Sequence, residues 1–421
     1  MRLRYAYRIN PTPGQRIALA RAFGCARVVF NDALALRNQA YENGEPFIAD
    51  AELSVRVITK AKNTPERAWL SEVSAVVLQQ ALADCTTAFR NFFDSLAGRR
   101  KGPKLGPPRF RSRKDNRQAI RFTKNAKFKV TAGGKLRLPK IGDVAVRWSR
   151  SLPSEPSSVT VIKDAAGRYF ASFVVEATPQ PLPPVDGDAG IDLGLEHFAV
   201  LPDGTKIGSP RFLRRAEKKL KRLSKTLSRK EKSSANRAKA RDALARQHAK
   251  VADARREFHH QLSTTLIREN QAIYVEDLAV KGLARTRLAK SVHDAGWGQF
   301  VGMLEYKAKL YGRTLIKVGR FFPSSKRCSA CHTVVAALPL HVRSWTCSAC
   351  GTLHDRDVNS AVNLQQEGRR LVAAERKPAP EMGGKRRPKT PAETGKTRPS
   401  TLRRGRRGTV DETGSHGSTA A

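Results

Sequence analysis

The chain has 421 residues and a formal charge of +42, from 79 Lys and Arg against 37 Asp and Glu. That length suits about three folded units, and so large an excess of one sign would strain a compact globule unless a polyanion shares its surface. No apolar run approaches the ~20 residues that span a bilayer and the N-terminus lacks a secretory signal, so no membrane partner and a cytoplasmic, nucleoid-associated location are expected.

Leu3 to Ile9 alternates apolar and basic residues, the pattern of a half-buried strand. Pro11-Thr12-Pro13-Gly14-Gln15 then opens a helix expected to run to about Asn31. A second helix is predicted from Ser74 to Phe93, with Val76, Leu78, Leu82, Cys85, Phe89 and Phe92 on one stripe. Cys25 and Cys85 read as small buried apolar residues. From Gly98 to Phe122 the chain turns basic with aromatic residues interleaved, so Arg109, Arg111, Arg113 and Lys114 are expected to face nucleic acid. Short β runs follow up to Val175, separated by turns such as Gly133-Gly134. With the N-terminal strand they predict a small barrel or sandwich that carries the helices as an insertion. A proline-rich linker, Pro179 to Pro184, closes this part.

Beyond the linker, Asp192 stands between apolar neighbours on a predicted strand, and a carboxylate embedded there is costly unless paired or metal-bound. Two long basic helices are expected between Phe212 and Asn270, and Lys218, Lys219 and Arg222 are candidates for phosphate contact. Gln271 to Glu276 is a short buried strand ending in an acid. Cys328-Ser-Ala-Cys331 and Cys347-Ser-Ala-Cys350 have the spacing of one tetrahedral, structural Zn²⁺ with all four positions filled by thiolates. Reduced pairs of this kind suit the cytoplasm. Asp355 and Asp357 follow at the start of a predicted helix. Taken singly, each of these acids has a plain structural reading, as a helix cap or the partner of a nearby Arg. After about Arg370 the composition turns to Pro, Gly, Thr, Lys and Arg and cannot bury a core.

Together the acids on separate elements form a set that could converge. Oxygen ligands of this kind select Mg²⁺ or Mn²⁺, and two such ions can drive phosphodiester hydrolysis. Gly190-Ile-Asp-Leu-Gly194, Val275-Glu-Asp-Leu278, the four-Cys ribbon and His354-Asp-Arg-Asp-Val-Asn-Ser-Ala-Val-Asn363 resemble the TnpB (OrfB) family. These are transposon-encoded proteins related to single-effector type V CRISPR nucleases. The resemblance runs from Met1 to about Leu371.

It implies an α/β multidomain fold. Residues 1–10 and 117–180 would form a β-rich, barrel-like wedge domain, and 11–116 an inserted helical recognition domain. A RuvC-like nuclease domain of ribonuclease-H-like fold would take 186–320 and 353–371, with the basic hairpin at 211–270. The zinc ribbon would be 321–352 and a disordered basic tail 372–421. The resemblance also implies two Mg²⁺ (or Mn²⁺) ions on Asp192, Glu276 and Asp357, with Asp355 open as the third ligand. It implies a guide RNA from the transposon end, double-stranded target DNA cut beside a short adjacent motif, and motif-reading residues of which Gln79 and Gln80 are candidates. Two rivals stand beside it: a transposase that joins DNA strands with the same metals, and a non-catalytic zinc-ribbon nucleic-acid binder.

Overall fold

The computed structural model describes residues 1–115 and 117–376. Strand β1 (Arg2–Asn10) lies in the middle of the first sheet and turns Tyr7 and Ile9 into the core. Thr12 then caps α1 (Pro13–Glu42), accepting from the Gln15 backbone N–H while the Gln15 side chain accepts from the Thr12 N–H. The helix passes the expected stop at Asn31 because its apolar stripe continues through Ala33, Leu34 and Ala40. Arg37 interrupts that stripe in sequence only. It is buried against the Asp50 carboxylate at 2.7 Å and under the Phe47 ring, so its charge is paired in place.

A short helix, α2 (Asp50–Ser54), leads through irregular turns to α3 (Ala75–Leu96), which packs on α1. Strands β2 (Gln118–Thr123), β3 (Lys129–Val130), β4 (Lys135–Leu138), β5 (Gly142–Arg147), β6 (Ser158–Lys163) and β7 (Tyr169–Glu176) complete the sheet. Its order is β2-β6-β7-β1-β5-β4-β3 and every pairing is antiparallel. Among the described residues no backbone ladder joins β2 to β3, so an open sheet stands where a barrel or sandwich was expected. Tyr7, Phe122 and Phe173 share one continuous apolar cluster with Leu19, Leu34 and Leu78 of the helices. The helices therefore complete the core of the sheet and have none of their own.

The second half is built on parallel strands. These are β8 (Asp188–Ile191), then, after the pair β9 (His197–Val200) and β10 (Lys206–Gly208) and two long helices, β11 (Ala272–Glu276), and later β12 (Thr314–Val318). The order is β12-β11-β8, with Val275 opposite Ile191, and Asp192 bridges on to Val200 of β9. The long helices are α4 (Phe212–Ser228) and α5 (Ala235–Glu269), which pack together as the expected basic hairpin. After β11 come α6 (Val280–Leu283), α7 (Ala289–Ala295) and α8 (Trp297–Tyr311). The buried Asp294 of α7 accepts from the Leu213 and Arg214 N–H groups at the start of α4 and pairs with Arg255 of α5, anchoring the hairpin at its base. Lys307 of α8 is buried against α5, where its ammonium donates to His260 O, Ser263 Oγ and Thr264 Oγ1, and burial pulls it down to about 8.

The pair β13 (Ser344–Thr346) and β14 (Leu353–Asp355) then leads into α9 (Arg356–Arg376), which lies across β8 and β11. Two glycines permit that contact. A Cβ on Gly190 would come within 2.0 Å of the Ala361 carbonyl oxygen, and one on Gly368 within 2.0 Å of the Tyr274 ring. The helix continues past Leu371 to Arg376, into the stretch expected as tail, and 377–421 lies outside the described residues. Gly190→Ala is expected to destabilise the protein by roughly 1–3 kcal/mol, the cost of forcing atoms into a packed interface. Gly302→Ala, in the open interior of α8 with nothing within 4 Å, should leave stability unchanged or raise it slightly. Urea unfolding of the two variants beside the parent chain measures both, and equal stability of all three would show that α9 yields freely.

Candidate active site

Asp192 follows the last residue of β8. Its neighbours Ile191 and Leu193 face the core, so alternation along the strand turns its carboxylate towards α9. There the Ser360 hydroxyl donates to Asp192 Oδ1 at 2.9 Å. Glu276 ends β11, the strand beside it, and Asp357 lies in the first turn of α9. Burial first, then the negative charges of Asp357 and Glu276, push Asp192 up to about 7 against the opposing pull of Ser360. Burial also raises Glu276, with Asp277 adding to it and Arg320 opposing. Asp192 thus feels both of the other acids, which lie far from it in sequence, across the end of the parallel sheet.

They do not close on a point. Among the described residues, the only set of three or more ligand-type side chains within 4.8 Å of one another is the four cysteines. Carboxylates drawn as close as ~4 Å would cost on the order of 4 kcal/mol per pair at an effective dielectric near 20, so an open arrangement is what three like charges adopt.

Asp355 and Asp357 are distinguished by their partners. Asp355 Oδ1 accepts from the Asp357 and Val358 N–H groups at 3.0 Å, and its Oδ2 pairs with Lys206 at 2.7 Å. It is the cap of α9. Burial alone would raise it, but Lys206 and the two helix N–H groups hold it below the usual carboxylate range. Asp357 meets only a looser contact, Arg343 Nη1 at 3.4 Å, and the same guanidinium reaches Glu196 at 3.2 Å.

The four thiols form the second part of the site. Cys328 Sγ lies 3.6 Å from Cys350 Sγ, and Cys331 Sγ 3.6 Å from Cys347 Sγ. Those spacings are far longer than the ~2.05 Å of a disulfide and close to the ~3.8 Å edge of a tetrahedron with Zn–S bonds of ~2.3 Å. The two knuckles repeat one backbone pattern: Cys328 N–H donates to Thr333 O and Cys347 N–H to Thr352 O, with His332 and Gly351 in the left-handed region. The donor set fits a structural zinc ion, which all four sulfurs would hold.

Amide side chains bolt this ribbon to α9. Asn359 donates to Arg327 O and accepts from Ser329 N–H, Asn363 donates to Ser324 O and Arg327 O, and Gln366 donates to Ser329 O. Sequence reasoning assigned no role to these residues, although their spacing of four and three positions marks one helix face. It also missed Arg343, which carries no local signal because its partners, Glu196 and Asp357, are remote in the chain or across a loop.

The residues expected to touch nucleic acid divide. Arg109, Arg113, Lys114, Lys218, Lys219 and Arg222 are exposed. Arg111 is spent on the protein itself: it stacks 3.8 Å over Phe30, pairs with Asp84 at 3.1 Å, and its backbone is clasped by the Asn31 amide. Gln79 is exposed on α3, and Gln80 accepts from Arg121.

Comparison with known proteins places this geometry. A family model described as "Probable transposase" (OrfB_IS605) matches residues 172–287, "Cas12f1-like, TNB domain" matches 297–364, and "Helix-turn-helix domain" matches 1–46. The last range holds β1 and the single long helix α1. A solved structure described as "Cryo-EM structure of the Cas12f1-sgRNA-target DNA complex" aligns with a TM-score of 0.50 at 14% identity, covering 83% of each chain, a likeness of fold. A Streptomyces pristinaespiralis protein named "Putative RNA-guided DNA endonuclease" is 44% identical over 368 residues, 86% of this chain and 89% of its own. An Escherichia coli K12 protein named "Putative RNA-guided DNA endonuclease InsQ" is 29% identical over 386 residues, 88% and 93% of the two chains. The chain belongs to the OrfB (TnpB) family.

The raised Asp192 has a pH signature. Its protonated form is favoured in the fold, so its stabilising contribution is complete below the ordinary carboxylate range and is lost as pH rises to about 7. In magnesium-free buffer with zinc in place, Asp192→Asn should therefore exceed the parent in stability by up to about 4 kcal/mol at pH 8. The gap should narrow as pH falls to 5. Urea titrations at the two pH values give the comparison, and a pH-independent gap would contradict the burial of that charge.

Proposed function

We propose that the protein is an RNA-guided DNA endonuclease of an insertion sequence, cutting target DNA beside a short adjacent motif. The observation that supports this most is that Asp192, at the end of the β8–β11 sheet, feels the charges of both Glu276 and Asp357, with a cation, Arg343, at the rim. The oxygen-only donor set of these three suits Mg²⁺ or Mn²⁺. Two such ions supply activation of a water molecule and stabilisation of the leaving oxygen in phosphodiester hydrolysis.

The chain's own residues do the rest. The Ser360 hydroxyl donates to Asp192 Oδ1 at 2.9 Å, and the other carboxylate oxygen would be the one to hold a metal ion. Asp355, with both oxygens engaged, acts as a structural cap, which favours Asp357 as the residue that would be the third metal ligand. Arg343, beside Asp357, is a guanidinium at the rim that could pair with a phosphate oxygen. The exposed bases on α4 and on the 109–114 loop supply phosphate contacts for guide RNA and target, as the formal charge requires.

The test uses guide-loaded protein, Mg²⁺ and a matched duplex carrying the adjacent motif. Alanine at Asp192, Glu276 or Asp357 should reduce cutting by a hundredfold or more while binding of guide and target persists, on the order expected for loss of a metal ligand. Asp355→Ala should keep more activity than Asp357→Ala and lose about 1 kcal/mol of stability as a lost cap. Normal cutting by Asp192→Ala or Glu276→Ala would sink the proposal. Joined strands in place of cut ends would make the chain a strand-transfer transposase.

A further inference from the structure

The two knuckles of the ribbon are alike in backbone but not in surroundings. Each begins with a buried cysteine, Cys328 or Cys347, and ends with an exposed one, Cys331 or Cys350. The exposed sulfurs each have a hydroxyl at hand, Thr333 Oγ1 at 3.4 Å and Thr352 Oγ1 at 3.2 Å. Of the two buried sulfurs, Cys328 alone has a side-chain nitrogen in contact: His354 Nε2, at 3.0 Å. That histidine is 6% exposed, stands on β14 opposite Trp345, and lies against the Trp345 ring with centroids 4.8 Å apart. Cys328 is 0% exposed, and its sulfur also receives the Cys331 N–H, at 3.5 Å, and the Ala330 N–H.

Four thiolates and one Zn²⁺ carry a formal charge of −2, and in a buried site each sulfur left without a donor adds to the cost of that charge. A metal-bound thiolate can only accept, so the ring nitrogen facing it carries the proton. The 3.0 Å contact makes Nε2 that nitrogen, with one N–H to give. We propose that His354 donates this N–H to Cys328 Sγ in the zinc-loaded protein. It is thereby a positioning residue that ties the metal site to the segment bearing the acids.

The link is short. His354 precedes Asp355, the cap of α9, and Asp357 lies two residues further on in its first turn, so a fixed imidazole fixes the entry of the chain into the acidic centre. This inference rests on the zinc site alone for its first measurement and on the nuclease reading only for its second, so the two can fail separately. His354→Phe keeps the ring volume and removes the donor, while His354→Gln keeps an N–H at similar reach.

Both variants of the full chain should purify with one zinc. The Phe variant should give it up to a chelator 10- to 100-fold more readily than the parent, the range seen when partners of metal ligands are removed. The Gln variant should fall between them. Co²⁺-substituted parent and variants should all show the spectrum of four thiolates. Cutting by the Phe variant should fall with unchanged guide binding, and Gln should restore part of it. Equal zinc retention by parent and Phe variant would overturn the proposal. So would a Co²⁺ spectrum with three sulfurs and one nitrogen in the parent, which would make His354 a ligand in place of a cysteine. A Phe variant that does not fold leaves Gln to decide, since retention equal to a His354→Leu variant would also refute the bond.

Discussion

The seating of α9 on β8 and β11 is the contact on which the rest of the second half depends. A helix can approach a sheet this closely only where side chains are missing, and Gly190 and Gly368 remove them from both partners. The approach brings Ser360 to Asp192 and sets the charge of Asp357 against Asp192, beside that of Glu276. Arg369 and Gln365 of the same helix bind the Asp188 carboxylate at the start of β8, so the helix is held along the strand and not at one point. A shift of one end would therefore be opposed at the other.

Charge is arranged around this contact with the opposite sign to the chain as a whole. The acids Asp192, Glu276 and Asp357 are ringed by cations that pair with their outer neighbours: Arg320 with Asp277 at 2.8 Å, Lys206 with Asp355 at 2.7 Å, and Arg343 with Glu196 at 3.2 Å. These pairs are partly exposed and contribute little to stability one by one. Their effect is local. They occupy the outer acids, and Arg343 also reaches the inner Asp357 at 3.4 Å, within a chain of strongly positive formal charge.

The ribbon holds the beginning of α9 as the glycines hold its middle. A segment with only Cys328, Trp345 and Cys347 at its centre has little apolar core. A four-thiolate zinc site can contribute about 10–16 kcal/mol of apparent folding free energy to such a segment. Asn359, Asn363 and Gln366 pass that rigidity to the helix through side-chain amides that meet backbone groups of the ribbon. Metal-site geometry and acid placement are thus one mechanical unit.

Features encoded at short range were readable from residues alone: the strand alternation of β1, the helix start at Pro11–Gln15, the knuckle spacing and the basic hairpin. Each is set by neighbours within a few positions, where periodicity, capping and ligand spacing act. The end of α1, the open edge of the first sheet, the internal use of Arg111 and the roles of Asn359, Asn363, Arg343 and His354 were decided by tertiary structure. So was the difference between Asp355 and Asp357, two residues apart and identical in type, which only Lys206 from β10 and the first turn of α9 separate. The physical reason is common to all of them. A charged or amide side chain takes its role from the partner that folding brings to it, and that partner is not written beside it in the chain.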